Sequence, residues 1–218
     1  MTVTTNHSGF RLLRSDTESR DCRTALTRLF AGNGTIYLVV GFFTYNGYRS
    51  IREEIVGFLE REPDNELYIV VGPATDQFSP RIAKDLWSLD TADRVHLRTH
   101  RRGLHAKLYL RDGPEPMVIH TSTNLTQVGF TYNLELGVER RAEDRTDPQI
   151  APFIAWAEEL VARSDQMRPR DLRWIVQLWN SIANWSNKAR LLPRRHIAKR
   201  IAPFLVLLVV VAVVAGIL

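Results

Sequence analysis

Residues 103–113 read GLHAKLYLRDG, and the period of this stretch decides how the chain folds. As a strand over 104–111 it sends Ala106, Leu108 and Leu110 to one face and His105, Lys107 and Tyr109 to the other. An imidazole and an ammonium then point the same way. The next residues, RDGPEP at 111–116, are a turn signal, and a second strand over 116–121 folds back beside the first. In such a hairpin the end of one strand lies near the start of the other, so Ser122 and Asn124 come close to His105 and Lys107.

Outward from this hairpin the chain alternates strands with helices. TIYLVVGFF (35–43) and ELYIVVG (66–72) are apolar runs of strand length, and apolar side chains at consecutive positions suit central strands covered on both faces. Between them, residues 48–62 have helical periodicity, with Ile51, Ile55, Phe58 and Leu59 on one face. A helix over Glu18–Phe30 turns Cys22, Ala25, Leu26 and Leu29 inward. Ser79 and Pro80 open another helix, through Trp87. Further strands are expected at 94–99 and 134–140, a short helix from Asn124, and a helix from Asp147–Pro148 to Ala162. This alternation predicts an α/β fold, a layered α-β-α sandwich.

H-x-K on a strand is by itself an ordinary solvated pattern. Here it is followed by TSTNLTQVGFTYNLELGV (121–138), where Ser122, Asn124, Asn133 and Glu135 interrupt a run that otherwise reads as core. A helix N-terminus opening at Ser122–Asn124, with Lys107 and the Asn124 amide, would form a cradle for phosphate. A histidine beside a phosphate is placed to act as nucleophile or proton donor.

The spacing His105-x-Lys107-x4-Asp112, then Thr121-Ser122-x-Asn124, then Asn133-x-Glu135, resembles the HKD motif of the phospholipase D superfamily. The segment after the motif is similar to that of its nuclease-like branch, and the likeness spans about residues 20–160. The resemblance implies a sandwich of phospholipase D type and a phosphodiesterase. His105 would be the nucleophile, Lys107 and Asn124 the holders of the non-bridging oxygens, Glu135 the acceptor of the second imidazole N–H, and Ser122 a further hydrogen-bonding group. Asp112 would order the hairpin. Such a site needs two histidines and this chain carries one motif, so the resemblance also implies a homodimer sharing one site. Two departures stand out: Thr121 occupies a position where the family has Gly, and the interval from Asp112 to Thr121 is longer by two residues. Arg101 and Arg102, just before the motif, could steer a phosphodiester backbone.

No cofactor is implied. A metal site built from His96, His100, His105 and His120 lacks a carboxylate at ligand spacing, and Lys107 would repel a divalent cation there. One cysteine, Cys22, excludes an intrachain disulfide framework. The net charge of +5 resides in six basic residues between Lys188 and Arg200, which leaves residues 1–187 near −1. Global charge therefore does not identify a nucleic-acid partner. That basic segment precedes IAPFLVLLVVVAVVAGIL (201–218), and eighteen helical residues rise about 27 Å, roughly the thickness of a bilayer core. The expected organisation is a catalytic domain over 1–165, an amphipathic helix and basic juxtamembrane segment over 166–200, and a transmembrane anchor over 201–218. The positive-inside rule puts the domain in the cytoplasm. Nucleic acid is the expected substrate, phospholipid the alternative, and a degenerate binding domain a third reading.

Overall fold

The structure, a computed structural model, describes residues 9–15, 21–72, 80–89, 93–100 and 103–168, all within a compact unit that ends at Pro169. The stretch 171–191, the basic segment, the apolar run 201–218 and the Arg101–Arg102 pair lie outside the described residues. Among the described residues no helix is long and apolar enough to cross a membrane.

Eight strands form one sheet: β1 (Phe10–Arg14), β2 (Thr35–Val40), β3 (Glu66–Val71), β4 (Val95–Thr99), β5 (Lys107–Asp112), β6 (Met117–Thr121), β7 (Leu136–Arg141) and β8 (Asp165–Gln166). Their spatial order is β1-β7-β6-β5-β2-β3-β4-β8. The strands β2, β3 and β4 are parallel to one another, and β5, β6, β7 and β1 join by antiparallel pairings. The two apolar runs behave as read: β2 and β3 sit in the interior and bury residues on both faces.

The helices are α1 (Asp21–Phe30), α2 (Tyr45–Arg49), α3 (Arg52–Arg61), α4 (Pro80–Leu89), α5 (Gln127–Thr131) and α6 (Ala151–Ala162). On one face of the sheet α1 packs against β1, β5 and β6, and on the other α6 packs against β3 and β5. Val39, Val70, Leu108, Leu110 and Val118 meet Ile154 and Ala157 of α6 in one apolar cluster. The α-β-α layering is therefore present, with most helices on one side and α6 on the other.

Several boundaries differ from the sequence reading; the strand expected from 134 begins at Leu136, and the helix expected over 48–62 is divided into α2 and α3. The strand at 104–111 begins only at Lys107, and residues 103–106 approach it as irregular chain. The last helix starts at Ala151, because Asp147 is used in a turn: its carbonyl accepts from Ile150 and Ala151, and its carboxylate from the Gln149 N–H at 2.8 Å. The short helix after β6 starts at Gln127 instead of near Asn124.

Several polar groups in the interior are paired, while among the described residues Asn33 Oδ1, Arg94 Nε, His96 Nε2, Arg98 Nε and Arg140 Nε are buried without a hydrogen-bond partner. Arg111, almost wholly buried, donates to the Arg28 and Leu29 carbonyls at 3.1 and 2.7 Å, satisfying the last turn of α1 where helix carbonyls lack partners. Buried Glu139 accepts from Arg28 and Arg141. Tyr48 of α2 and Arg52 of α3 both donate to Asp85 of α4, whose pKa is lowered chiefly by the Arg52 bond.

Candidate active site

The strand ends at Val40, Val71 and Thr99 and the strand start at Lys107 lie on one side of the sheet, as the registers Val40↔Lys107, Val40↔Val71 and Val71↔Thr99 require. The ends of β6 and the start of β7 lie there too, through Thr121↔Gly137. Every residue with a proposed role except Asp112 and the undescribed Arg101 and Arg102 gathers at this end.

His105 is exposed and precedes the strand, so it is placed by the loop 103–106 and not by strand alternation. The loop crosses directly over Gly41. A Cβ added at Gly41 would stand 2.7 Å from the Leu104 carbonyl oxygen and 3.7 Å from both the His105 Cα and the Asn124 Oδ1. Such a contact with backbone cannot be relieved by a rotamer change, so glycine here is what admits the loop. It also fixes the neighbourhood of His105 and Asn124.

Lys107 is only 6% exposed. Its side chain shares a face with Tyr109 and Arg111, the face that α1 covers, so this face of the strand is dry. The ammonium donates to the His105 carbonyl at 2.6 Å. Burial lowers its pKa, since low dielectric disfavours the charged form, and the Glu135 charge works in the opposite direction.

Asn124 lies in the loop before α5. Its Oδ1 accepts from the Phe42 N–H at 3.1 Å, which fixes the amide orientation and leaves the Nδ2 protons as the outward donor. The loop is anchored on both sides of this contact: Phe43 bridges Leu125 in parallel, and the Thr44 N–H donates to the Leu125 carbonyl at 3.1 Å. The expected helix N-terminus at 122–124 is absent. The Ser122 N–H is bonded to the Leu136 carbonyl and the Thr123 N–H to Thr121 Oγ1, so a phosphate ligand there depends on side chains.

Glu135 sits in a hydrogen-bonded frame. Its carboxylate accepts from the Ser122 hydroxyl and from Asn133 Nδ2 at 3.1 Å. Its backbone is tied to Ser15, whose Oγ accepts from the Glu135 N–H at 2.6 Å and donates to the Asn133 carbonyl at 2.8 Å. Among the described residues it is Ser122 and Asn133, not the His105 imidazole, that the carboxylate receives. Asp112 is elsewhere: five residues along β5 from Lys107, about 17 Å at strand rise. There it pairs with Arg145 at 3.1 Å, and burial raises its pKa against that arginine. His96 and His120 point away from Lys107, since His96 stacks on Tyr68 at 4.3 Å and His120 faces Phe153.

Thr121 has a structural explanation. Its side chain is buried and its Oγ1 bonds to Thr123 Oγ1 at 3.1 Å and the Leu136 carbonyl at 3.2 Å. The residue paired with it is Gly137, where an added Cβ would stand 2.6 Å from the Thr121 Cβ. The side chain that Thr121 adds thus occupies the space that Gly137 vacates. Behind it, Cys22 Sγ donates to Thr121 Oγ1 at 3.8 Å and Tyr109 donates to the Thr123 carbonyl at 2.6 Å; burial raises the pKa of the Cys22 thiol. Gly137→Ala is expected to cost about 1–3 kcal/mol by overpacking, measured by denaturant unfolding. In a Thr121→Gly background part of that cost should vanish, the remainder being set by the His120 carbonyl oxygen 2.9 Å from the same Cβ; simple additivity of the two changes would show that the side chains do not share the space.

Sequence reasoning missed the supporting residues Phe42, Ser15 and the paired helix starts. Those starts did leave a signal. Thr44-Tyr-Asn-Gly47-Tyr48 and Thr126-Gln-Val-Gly129-Phe130 share one spacing, and in each the Thr hydroxyl caps the Gly N–H, at 3.2 and 3.0 Å.

Comparison with known structures fits this architecture. The chain is similar to NucT from Helicobacter pylori, with TM-score 0.58 and 14% identity, over 73% of this chain and 99% of that one. It is similar to Nuc from Salmonella typhimurium, a phospholipase D family member, with TM-score 0.57 and 16% identity, over 73% and 98%. It is also similar to the phosphatidylserine synthase of Haemophilus influenzae Rd KW20, with TM-score 0.57 and 14% identity, over 84% of this chain and 48% of that one. The fold is that of the phospholipase D superfamily. No family model matches the chain, and no curated protein matches it.

Proposed function

We propose that the chain is a phosphodiesterase that works without a metal ion and cleaves nucleic acid through a phosphohistidine. The observation that carries this reading is the convergence at one sheet end of an exposed histidine, a buried lysine and an amide held by the backbone just beyond β2. In the first step a nitrogen of His105 attacks phosphorus while the bond to the leaving oxygen breaks. The leaving oxygen takes a proton from the imidazolium of His105 in a second copy. In the second step that imidazole removes a proton from water, the water oxygen bonds to phosphorus, and the phosphorus–nitrogen bond breaks. Lys107 and the Asn124 amide hold the non-bridging oxygens as their charge grows. Glu135, fixed by Ser122 and Asn133, supplies negative charge that favours the cationic imidazole.

The homodimer is part of the same reading, because one chain carries one such histidine. The chain spans about half the length of the phosphatidylserine synthase it resembles. The run 201–218 would hold the enzyme at a membrane with its domain in the cytoplasm, and Arg101 and Arg102 would meet the substrate backbone. Nucleic acid is preferred over phospholipid because the segment after the motif resembles the nuclease-like branch.

The full chain in detergent, given DNA, RNA or phospholipid vesicles in the presence of EDTA, tests the proposal. Cleavage of nucleic acid that persists in EDTA supports it. Hydrolysis confined to the vesicles would make the lipid reading correct, and loss of all activity in EDTA would end the metal-free mechanism. Asn124→Ala should lower kcat by about 10²–10³-fold, read as a steady-state rate on the substrate that is cleaved.

A further inference from the structure

Residues 131–134, between α5 and β7, are all exposed, and Leu134 shows 82% of its surface. Burial therefore does little to hold the chain just ahead of Glu135, and its hydrogen bonds decide where that carboxylate stands. On the α5 side the Tyr132 and Asn133 N–H groups both donate to the Val128 carbonyl at 2.9 Å. On the β7 side two serines grip the chain, one from each strand that neighbours β7 in the sheet. Ser122, just past β6, donates to the Glu135 carboxylate and accepts from the Leu136 N–H at 3.1 Å. Ser15, just past β1, takes the backbone. Its Oγ accepts from the Glu135 N–H at 2.6 Å and donates to the Asn133 carbonyl at 2.8 Å, and its N–H donates to the Glu135 carbonyl at 3.2 Å.

The strand itself does not need that hydroxyl. β1 already pairs with β7 from Phe10↔Arg140 to Arg14↔Leu136, Leu13 is buried beneath it, and the Ser15 N–H extends the ladder by one bond without using a side chain. The hydroxyl adds something else: it bridges residues 133 and 135, the two whose side chains meet at 3.1 Å in the carboxylate's frame. We infer that Ser15 is a positioning residue for the proposed reaction, its hydroxyl fixing the turn at 133–135 and with it the place from which Glu135 acts. The inference rests on the reading in which the Glu135 charge serves the histidine chemistry. Without the hydroxyl, the Asn133 carbonyl and the Glu135 N–H turn to water, and Asn133 and Glu135 shift together. A misplacement of about 1 Å at such a group can cost about 10²-fold in rate. The place of the carboxylate also matters at the phosphate ligand, since its charge raises the Lys107 pKa against the larger effect of burial.

The test compares Ser15→Thr, which keeps the hydroxyl, with Ser15→Val, which has the same shape without it. Both are made in the full chain in detergent, with bis(p-nitrophenyl) phosphate as a model diester and thermal unfolding as the check on folding. Ser15→Thr should turn over as the wild type does. Ser15→Val should fold and lose about 10–10²-fold in kcat with KM unchanged, because Lys107 and Asn124 are untouched. In a Glu135→Gln background Ser15→Val should cost nothing further, since the group it places has already lost its charge. A Val variant with wild-type kcat, a Thr variant as slow as the Val variant, or losses that simply add would overturn the positioning role and leave that of Glu135 standing. A Val variant that does not fold would make the hydroxyl structural and overturn it too. Glu135→Gln as active as wild type, or a wild-type chain that leaves the diester intact, would end the underlying reading and this inference with it.

Discussion

Replacement of His105 by Ala is expected to abolish phosphodiester cleavage, lowering kcat by about 10⁴-fold or more, the scale on which a removed nucleophile is felt. The variant should fold normally. His105 is exposed, precedes β5, and takes part through its backbone carbonyl in the Lys107 contact, which Ala preserves. Substrate binding should persist, because Lys107 and Asn124 are untouched. The outcome to measure is single-turnover cleavage beside equilibrium binding of the same oligonucleotide. A phosphorylated adduct trapped on the wild-type chain and absent from the variant would identify the nitrogen–phosphorus bond. Retention of more than a tenth of wild-type activity would remove His105 from the nucleophile role. Mixing the variant with wild-type chain should also reduce activity beyond simple dilution, since a mixed pair would keep one histidine of two.

The sequence foretold the central strands and the gathering of the site for a physical reason. Consecutive apolar residues such as 36–40 and 67–71 have no solvated face to offer, so their burial was legible from composition alone. The hairpin followed from a turn signal, and it carried Ser122 and Asn124 to His105 with it. What could not be read was the orientation within that cluster. Strand periodicity suggested that alternation aims His105, whereas the loop over Gly41 does so, and this depends on the absence of a Cβ on a different strand. Asn124 is set by the Phe42 N–H, 82 residues away in sequence. Contacts of that span leave no local pattern.

Thr121 illustrates the same limit from the opposite side. In the sequence it stands out as a threonine where the family has Gly. The structure instead pairs it with Gly137, so the crowding that a threonine brings is absorbed across the strand pair, and its hydroxyl is used in a buried network with Thr123 and Leu136. A one-dimensional comparison sees the added methyl and hydroxyl but not the partner that makes room for them.

Lys107→Met should separate stability from function. A lysine that is 6% exposed is held against a desolvation penalty, and the burial that lowers its pKa also weakens the fold. Methionine fills a similar volume with no charge. The variant is expected to gain roughly 1 kcal/mol, seen as a rise in Tm of about 2–4 °C for a chain of this size. It should also lose about 10²–10³-fold in kcat, because no other described cation is placed to meet the phosphate. The pH dependence has a definite sign. A lysine whose folded pKa lies below its unfolded value binds fewer protons in the folded state across the interval between the two. Stability therefore rises with pH in the window beneath 10.5, and the contribution is lost as pH falls through the folded value. Activity should move the other way in that window, falling as the ammonium loses the proton that makes it a phosphate ligand. In Lys107→Met both the rise in stability and the alkaline fall of the residual rate should flatten. A variant that is less stable than wild type at neutral pH, with its alkaline limb intact, would mean that Lys107 is held by an interaction stronger than its bond to the His105 carbonyl.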